Sequence, residues 1–244
     1  LALLASVGHT QPLVTRLPRV LHVATGNETV PPEQTPQTGQ IRDSNTTLVR
    51  AFLESHGITP QQVRVGEDRA AIDSALRAPR SAFDLLLISG GASVGEHDFT
   101  RSLLADLGYT IRISRTTTRP GKPLIFATRG NAVAFGLRGN PLSHFVCLNL
   151  YVRVALLGFN GTTEDGGFVT GELAEEFATE ANSRETLWPA QTKFQDGAVR
   201  LALLPWRSSG DLTALATANA LVRIPGGCGK LARGTKLEFV LAEF

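Results

Sequence analysis

The 244-residue sequence has no Met and only two Cys, two Trp and two Tyr. The isolated Cys147 and Cys228 form no CxxC pair and offer no zinc spacing, so they read as free thiols of a reducing, cytoplasmic compartment. The five histidines form no HExxH and no paired-ligand pattern. No uncharged apolar run reaches the roughly 18 residues that a membrane span requires. A formal net charge of +2 is too small for a general nucleic-acid binder. What remains is an ordinary globular chain, 42% apolar, long enough for one large domain or two ordinary ones.

Acid is missing locally as well. Between Leu107 and Thr163 there is no Asp or Glu, although Arg112, Arg115, Arg119, Lys122, Arg129, Arg138 and Arg153 fall there. The whole chain has 24 Lys+Arg against 22 Asp+Glu, so its cations are segregated and not simply in excess. Two like charges 4 Å apart repel by about 4 kcal/mol at an effective dielectric near 20, so a folded cluster calls for solvent or an anion. Two glycine-bearing loops lie in this stretch, Arg119–Pro123 and Gly136–Pro141. Glycine admits close backbone approach, and the expectation is an anionic small-molecule ligand.

Strands and helices alternate along the first part of the chain. Arg19–Ala24 reads as a strand ending in the turn Thr25–Glu28. After a Pro/Thr/Gln-rich loop, Asp43 or Ser44 caps a helix whose Leu48, Val49, Phe52 and Leu53 follow the helical period, with Gly57 closing it. Val63 and Val65 mark a short strand, and 68–78 a second helix. Phe83–Ile88 is a buried strand running into Ser89–Gly95, and a helix from Asp98 points Phe99, Leu103, Leu104 and Leu107 inward. Further strands are predicted at Ile111–Ile113, Leu124–Ala127 and Ala132–Leu137, and Asn140-Pro141 opens a long helix.

The alternation predicts an α/β domain, a parallel sheet with helices on both faces. In such sheets the ligand crevice lies beyond the carboxyl ends of the strands. The loops Thr25–Glu28, Ser89–Gly95 and Gly136–Pro141 occupy that position. Residues 1–18 read as the tail of an upstream domain missing from this chain, and 19–160 as the α/β domain. Over 161–244, short apolar segments separated by turns predict a small C-terminal β barrel or sandwich.

Each motif has a structural and a functional reading. The amides of Ser89–Gly95 are suited to cradle a phosphate, or form only a tight turn before a helix. Asp98 caps that helix, or is a carboxylate that holds Mg²⁺ or orients a water; Glu28 presents the same choice. Prolines stiffen Arg119–Pro123 and so pre-organise Arg119 and Lys122, which favours function over a solvated turn. His144 offers a proton carrier, but a lone histidine on a helix reads more simply as a surface or satisfied residue.

Five ordered motifs resemble one family. They are Thr25–Glu28, Gly39–Asn45, Ser89–Asp98, Arg119–Pro123 and Gly139–Ser143, with weaker similarity at Ser208–Asp211 and Ala218-Asn219. Their order and spacing resemble the MoeA molybdenum insertases, relatives of the gephyrin E-domain. The resemblance implies a molybdopterin-binding α/β domain, a C-terminal β barrel and a full-length homodimer. It implies molybdenum-cofactor synthesis, with adenylylated molybdopterin and molybdate as substrates, Mg²⁺ as cofactor and AMP as product.

By the same resemblance, Asp98, Glu28, Lys122 and Arg119 take the catalytic roles, with Asp98 and Glu28 also at the metal. Substrate would meet Thr25, Gly26, Asp43, Asn45, Ser89, Gly90, Gly91, Ser93 and Gly95 on one side. Gly139, Asn140, Pro141 and Ser143 would meet it on another. Molybdate would lie among Arg119, Lys122, Pro123, Ser143 and Ser209, with Ser208 beside them. Three positions depart from the family: Arg119 replaces a common Lys, Arg138 a Pro, and Gln191 aligns with an arginine. The competing readings are a molybdopterin adenylyltransferase, which needs no barrel, and a molybdopterin-binding module without turnover.

Overall fold

The computed structural model describes residues 1–66, 68–77, 83–90, 96–162, 166–180, 182–208 and 210–242. In chain order the first elements are α1 (Ala2–Ser6), β1 (Val20–Thr25), β2 (Thr29–Val30), β3 (Ile41–Arg42), α2 (Ser44–Ser55), β4 (Gln61–Val65) and α3 (Arg69–Arg77). There follow β5 (Leu85–Ser89), α4 (Glu96–Asp106), β6 (Thr110–Ile113), β7 (Ile125–Arg129), β8 (Ala132–Leu137), α5 (Pro141–Cys147) and α6 (Arg153–Phe159), with a π-helical segment, Leu148–Val152, joining the last two. The remainder is β9 (Val169–Leu173), β10 (Phe177–Ala178), β11 (Thr186–Gln195), β12 (Ala198–Leu203), β13 (Ala220–Ile224), β14 (Lys230–Leu231) and β15 (Lys236–Leu241).

The main sheet has the order β4-β1-β5-β8-β7-β6. Strands β4, β1, β5 and β8 are mutually parallel. Successive side chains on a strand face opposite ways, and here both faces are covered. Val20, Leu85 and Leu87 pack with Val49, Phe52 and Leu53 of α2 and with the helix after Asn140. Leu21, Val23, Leu86 and Ile88 pack with Ile72 and Leu76 of α3 and Leu103 and Leu104 of α4. This is the helix-covered sheet that the sequence predicts.

One edge departs from the parallel reading. Strand β7 is antiparallel to β8, and β6 antiparallel to β7. The cause is the length of the connection. Only Gly130 and Asn131 separate β7 from β8, and so short a link can only fold the chain back beside itself. Gly130 takes the positive φ of +55° that this turn requires. Helix α4 begins at Glu96, two positions before the expected Asp98.

The C-terminal strands close into a barrel ordered β11-β12-β9-β15-β13. Trp188, Leu201, Val222, Ile224 and Phe239 fill its interior. The neighbours Leu187, Leu221 and Val240 face outward and bury themselves against Leu142, Phe145 and Val146 of α5. The barrel therefore docks on the helix that follows the third rim loop. Backbone bonds reinforce the join: Arg119 N donates to Glu185 O and Leu187 N to Arg119 O, each at 2.8 Å. The helix Pro141–Phe159 is long and apolar enough to cross a membrane by length and composition. Its buried Phe145, Val146, Leu148, Val152 and Leu156 lie in contact with sheet and barrel, which accounts for that apolar content.

Candidate functional site

The parallel strands β1, β5 and β8 end on one rim, and a cavity of about 300 Å³ opens there. Thr25 and Glu28 line it from the first rim loop, Ser89 and Gly90 from the second, and Gly139, Asn140 and Pro141 from the third. Asp43 and Asn45 line it from the start of α2, while Gly210 and Leu212 reach it from the barrel side. The sequence does not single out Ala24, Thr29, Ile41, Arg42, Ser44, Gly210 or Leu212, which complete the wall. The signal was partial: Ile41–Ser44 lies within a family motif, and Gly210 within Ser208–Asp211.

Local chemistry explains how these groups are held. Asp43 is the N-cap of α2, accepting from Thr46 N at 3.0 Å and Thr46 Oγ1 at 2.6 Å. It also pairs with Arg64 Nη2 at 2.9 Å. Burial alone pushes its carboxyl up, but the Thr46 and Arg64 contacts outweigh this and hold it below the usual carboxylate range. Asn45 Nδ2 donates to Gly139 O at 2.7 Å, tying α2 to the third loop. Its Oδ1 is buried without a hydrogen-bond partner.

Glu28 lies over Gly26. A Cβ built on Gly26 would come 2.9 Å from Glu28 Oε2 and displace only the end of that side chain, whereas the φ of +136° is what favours glycine here. The Glu28 carboxylate makes no ion pair among the described residues. It is thus available to a cation in the way Mg²⁺ prefers, with few protein carboxylates and phosphate oxygens completing the shell. Among the described residues no group of three or more His, Cys, Asp or Glu gathers. Asp98 falls in α4, with its side chain outside the described residues, as are Gly91, Ser93, Gly95 and Ser209.

Beneath the cavity floor lies a polar group within the core. His22 Nε2 is 2.8 Å from Ser89 Oγ, which is 2.9 Å from His144 Nε2. All three residues are buried. Burial, first of all, holds the His22 imidazole down to about 3 and that of His144 to about 4, so both are neutral at pH 7. Of the surface and satisfied readings of His144, the structure bears out the second: it is buried and bonded. His22 carries a signal in the sequence: a histidine amid the buried apolar run Val20–Ala24 must find a partner.

Comparison with known proteins fits this architecture. Residues 22–157, more than half the chain, match the family described as probable molybdopterin binding domain, and residues 170–242 match the MoeA C-terminal region (domain IV). The chain belongs to the MoeA family. A molybdopterin molybdenumtransferase from Staphylococcus epidermidis is 28% identical over 249 residues, which cover 100% of this chain and 58% of the relative. One from Staphylococcus aureus is 27% identical over 247 residues, with the same coverage. The crystal structure of a molybdopterin biosynthesis MoeA protein from Pyrococcus horikosii superposes with a TM-score of 0.79 at 27% identity, over 98% of this chain and 58% of that one. The chain thus spans a little over half the length of these MoeA relatives.

Within this MoeA framework the basic Pro/Gly turn does not line the cavity. Arg119, Lys122 and Pro123 lie on the loop between β6 and β7, and Arg119 stacks over the Trp206 ring at 5.2 Å to its centroid. Arg119 instead lines a small crevice on the barrel with Glu180, Arg184, Thr186 and Trp188. Ile125, just after the turn, pairs with Gly136, so this loop shares the rim edge of the sheet but sits one strand beyond β8. Among the described residues, the charged ones lining the cavity are Glu28, Arg42 and Asp43. Ser143 is buried in α5. Ser208 O accepts from Trp206 Nε1 two residues before Gly210. Gln191 Nε2 donates to Thr217 O at 3.1 Å on the barrel, and Arg138 Nε is buried without a partner.

Proposed function

We propose that this chain supplies the substrate cavity of a molybdopterin molybdenumtransferase, which takes adenylylated molybdopterin and molybdate and releases AMP in molybdenum-cofactor biosynthesis. One observation carries the reading: all three rim loops, the start of α2 and the barrel segment Gly210–Leu212 converge on a single cavity. Its size is at the low end of small-molecule sites, which run from about 300 to 1,000 Å³. In this reading the amides of Ser89–Gly95 and the start of α5 receive the ligand phosphate, and Asn45 Oδ1 accepts from a ligand donor. Glu28, with Asp98, holds Mg²⁺, which neutralises developing charge on the phosphate when bound. Arg119, Lys122, Pro123, Ser143, Ser208 and Ser209 serve molybdate on the adjoining rim. No protein nucleophile is needed, because positioning and electrostatics supply the catalysis.

We further place the protein in the cytoplasm as a homodimer, with residues 1–18 as a linker or tail from an upstream domain, 19–160 as the α/β domain and 161–244 as the barrel domain. The test is to add Mg²⁺ and molybdate to protein loaded with adenylylated molybdopterin and to follow AMP by chromatography. Stoichiometric, molybdate-dependent AMP supports the proposal. Tight molybdopterin binding without AMP supports a binding module, a second reading favoured by the absence of Arg119 and Lys122 from the cavity wall. Formation of the adenylate from ATP would instead identify an adenylyltransferase.

A further inference from the structure

The hydrogen bonds under the cavity have only one self-consistent direction. Gln62 Oε1 accepts from Arg50 Nε at 2.7 Å and its Nε2 donates to Thr46 O at 2.9 Å, which fixes how the amide is turned. The second Nε2 hydrogen then points to His22 Nδ1 at 3.0 Å. An amide nitrogen does not accept, so His22 Nδ1 is the bare nitrogen and Nε2 carries the proton. That proton goes to Ser89 Oγ, and the single Ser89 hydroxyl hydrogen goes on to His144 Nε2. His144 must therefore carry its proton on Nδ1, which faces Asn140 O at 3.3 Å. The two histidines are opposite tautomers joined through one hydroxyl.

Ser89 is also where the three rim loops meet. Its carbonyl accepts from Thr25 Oγ1 at 3.1 Å, on the first loop. The next amide, Gly90 N, donates to Leu137 O at 3.1 Å, where the third loop begins. The chain of bonds reaches Asn140, which lines the cavity together with Ser89 and Gly90. Apolar side chains would fill this space without having to satisfy any polar atom, whereas a buried polar chain holds only when every member is paired. What the chain adds is direction. Ser89 is not set up as a nucleophile, since it is 3% exposed and its hydroxyl is engaged on both sides.

We propose that Ser89 is a positioning residue, and that the one-way chain Gln62–His22–Ser89–His144–Asn140 registers the second rim loop against the third and so shapes the cavity for its ligand. The proposal rests on the reading of this cavity as the molybdopterin site. Its physical core, however, is measurable without ligand.

Long-range ¹H–¹⁵N spectra of the histidine-labelled protein at pH 6 should show His22 protonated at Nε2 and His144 at Nδ1, both neutral. Matching tautomers, or a charged ring at either position, overturn the chain. Molybdopterin binding is then compared between the parent, Ser89→Thr, which keeps the hydroxyl, and the triple variant His22→Leu/Ser89→Ala/His144→Leu, which fills the space without polarity. The triple variant should fold cooperatively yet bind about tenfold more weakly than the parent, while Ser89→Thr, with the hydroxyl kept, should bind more tightly than the triple variant. Parent-like binding by the triple variant overturns the positioning role. Failure of the parent to bind molybdopterin refutes the ligand reading instead, and leaves the tautomer result standing.

Discussion

Asn45 and Gly139 are joined by a side-chain to main-chain hydrogen bond of 2.7 Å that spans the cavity wall, and the other end of the same amide, Oδ1, is buried with no partner. An unsatisfied buried acceptor costs about 1–3 kcal/mol, and in the proposed reading a ligand donor satisfies it. Asn45→Ala removes both the tie and the orphaned acceptor. We expect its stability to change by less than about 1 kcal/mol, with molybdopterin binding weakened about tenfold by calorimetric titration. Unchanged affinity would show that Asn45 only braces the wall.

The buried histidines predict an acid limit. Their folded-state values, about 3 for His22 and about 4 for His144, lie below the ordinary 6.5. The unfolded chain therefore binds more protons below pH 6.5, and stability falls as pH falls. From pH 7 to pH 5 the loss should be about 2 kcal/mol per histidine. Asp43 and His144 act on the His22 charge in opposite senses, the first favouring it and the second opposing it. Asp43 adds its own loss only below its ordinary value of 3.8. Urea unfolding at pH 7, 6 and 5 should show this slope, and His22→Leu/His144→Leu should flatten it.

The Asp43–Arg64 pair should be felt at the cavity as well as in stability. The Asp43 side chain is 5% exposed and that of Arg64 30%. Arg64→Ala leaves the carboxylate with the Thr46 contacts alone and should destabilise by about 1–2 kcal/mol, less than the 3–5 of a fully buried pair. Asp43→Ala also removes the α2 cap, worth about 1 kcal/mol, and should cost more. Denaturant midpoints at pH 7 decide the order.

The basic turn should separate two functions. Because Lys122 does not line the cavity, Lys122→Ala should leave molybdopterin affinity within about twofold while lowering molybdate-dependent AMP release by roughly tenfold or more. Equal losses in both assays would assign Lys122 to the phosphate. Arg119→Ala removes the guanidinium over Trp206 and should alter tryptophan fluorescence with a stability change near 1 kcal/mol.

The sequence disclosed elements whose cause is local. The run Leu85–Ser89 is buried throughout, Asp43 caps α2 as read, and the rim loops meet because parallel strands end together. What it hid depends on distant partners. The cations of Arg112–Arg153 share a stretch of sequence but not the cavity, since the link through β7 carries Arg119 and Lys122 one strand away. The cavity's charged lining comes instead from the first loop and the segment before α2. His22 belongs to a polar chain only because Gln62, Ser89 and His144 come from three other elements.

The docking of the barrel on α5 has one further consequence. Floor and roof of the cavity are written in separate parts of the chain: the sheet's rim supplies the floor, and Gly210 and Leu212 the roof. Leu187, Leu221 and Val240 clamp the roof-bearing module to the very helix whose first turn belongs to the floor. Substitutions at Gly210 and Leu212 can therefore retune what is admitted while the scaffold that receives it keeps its shape.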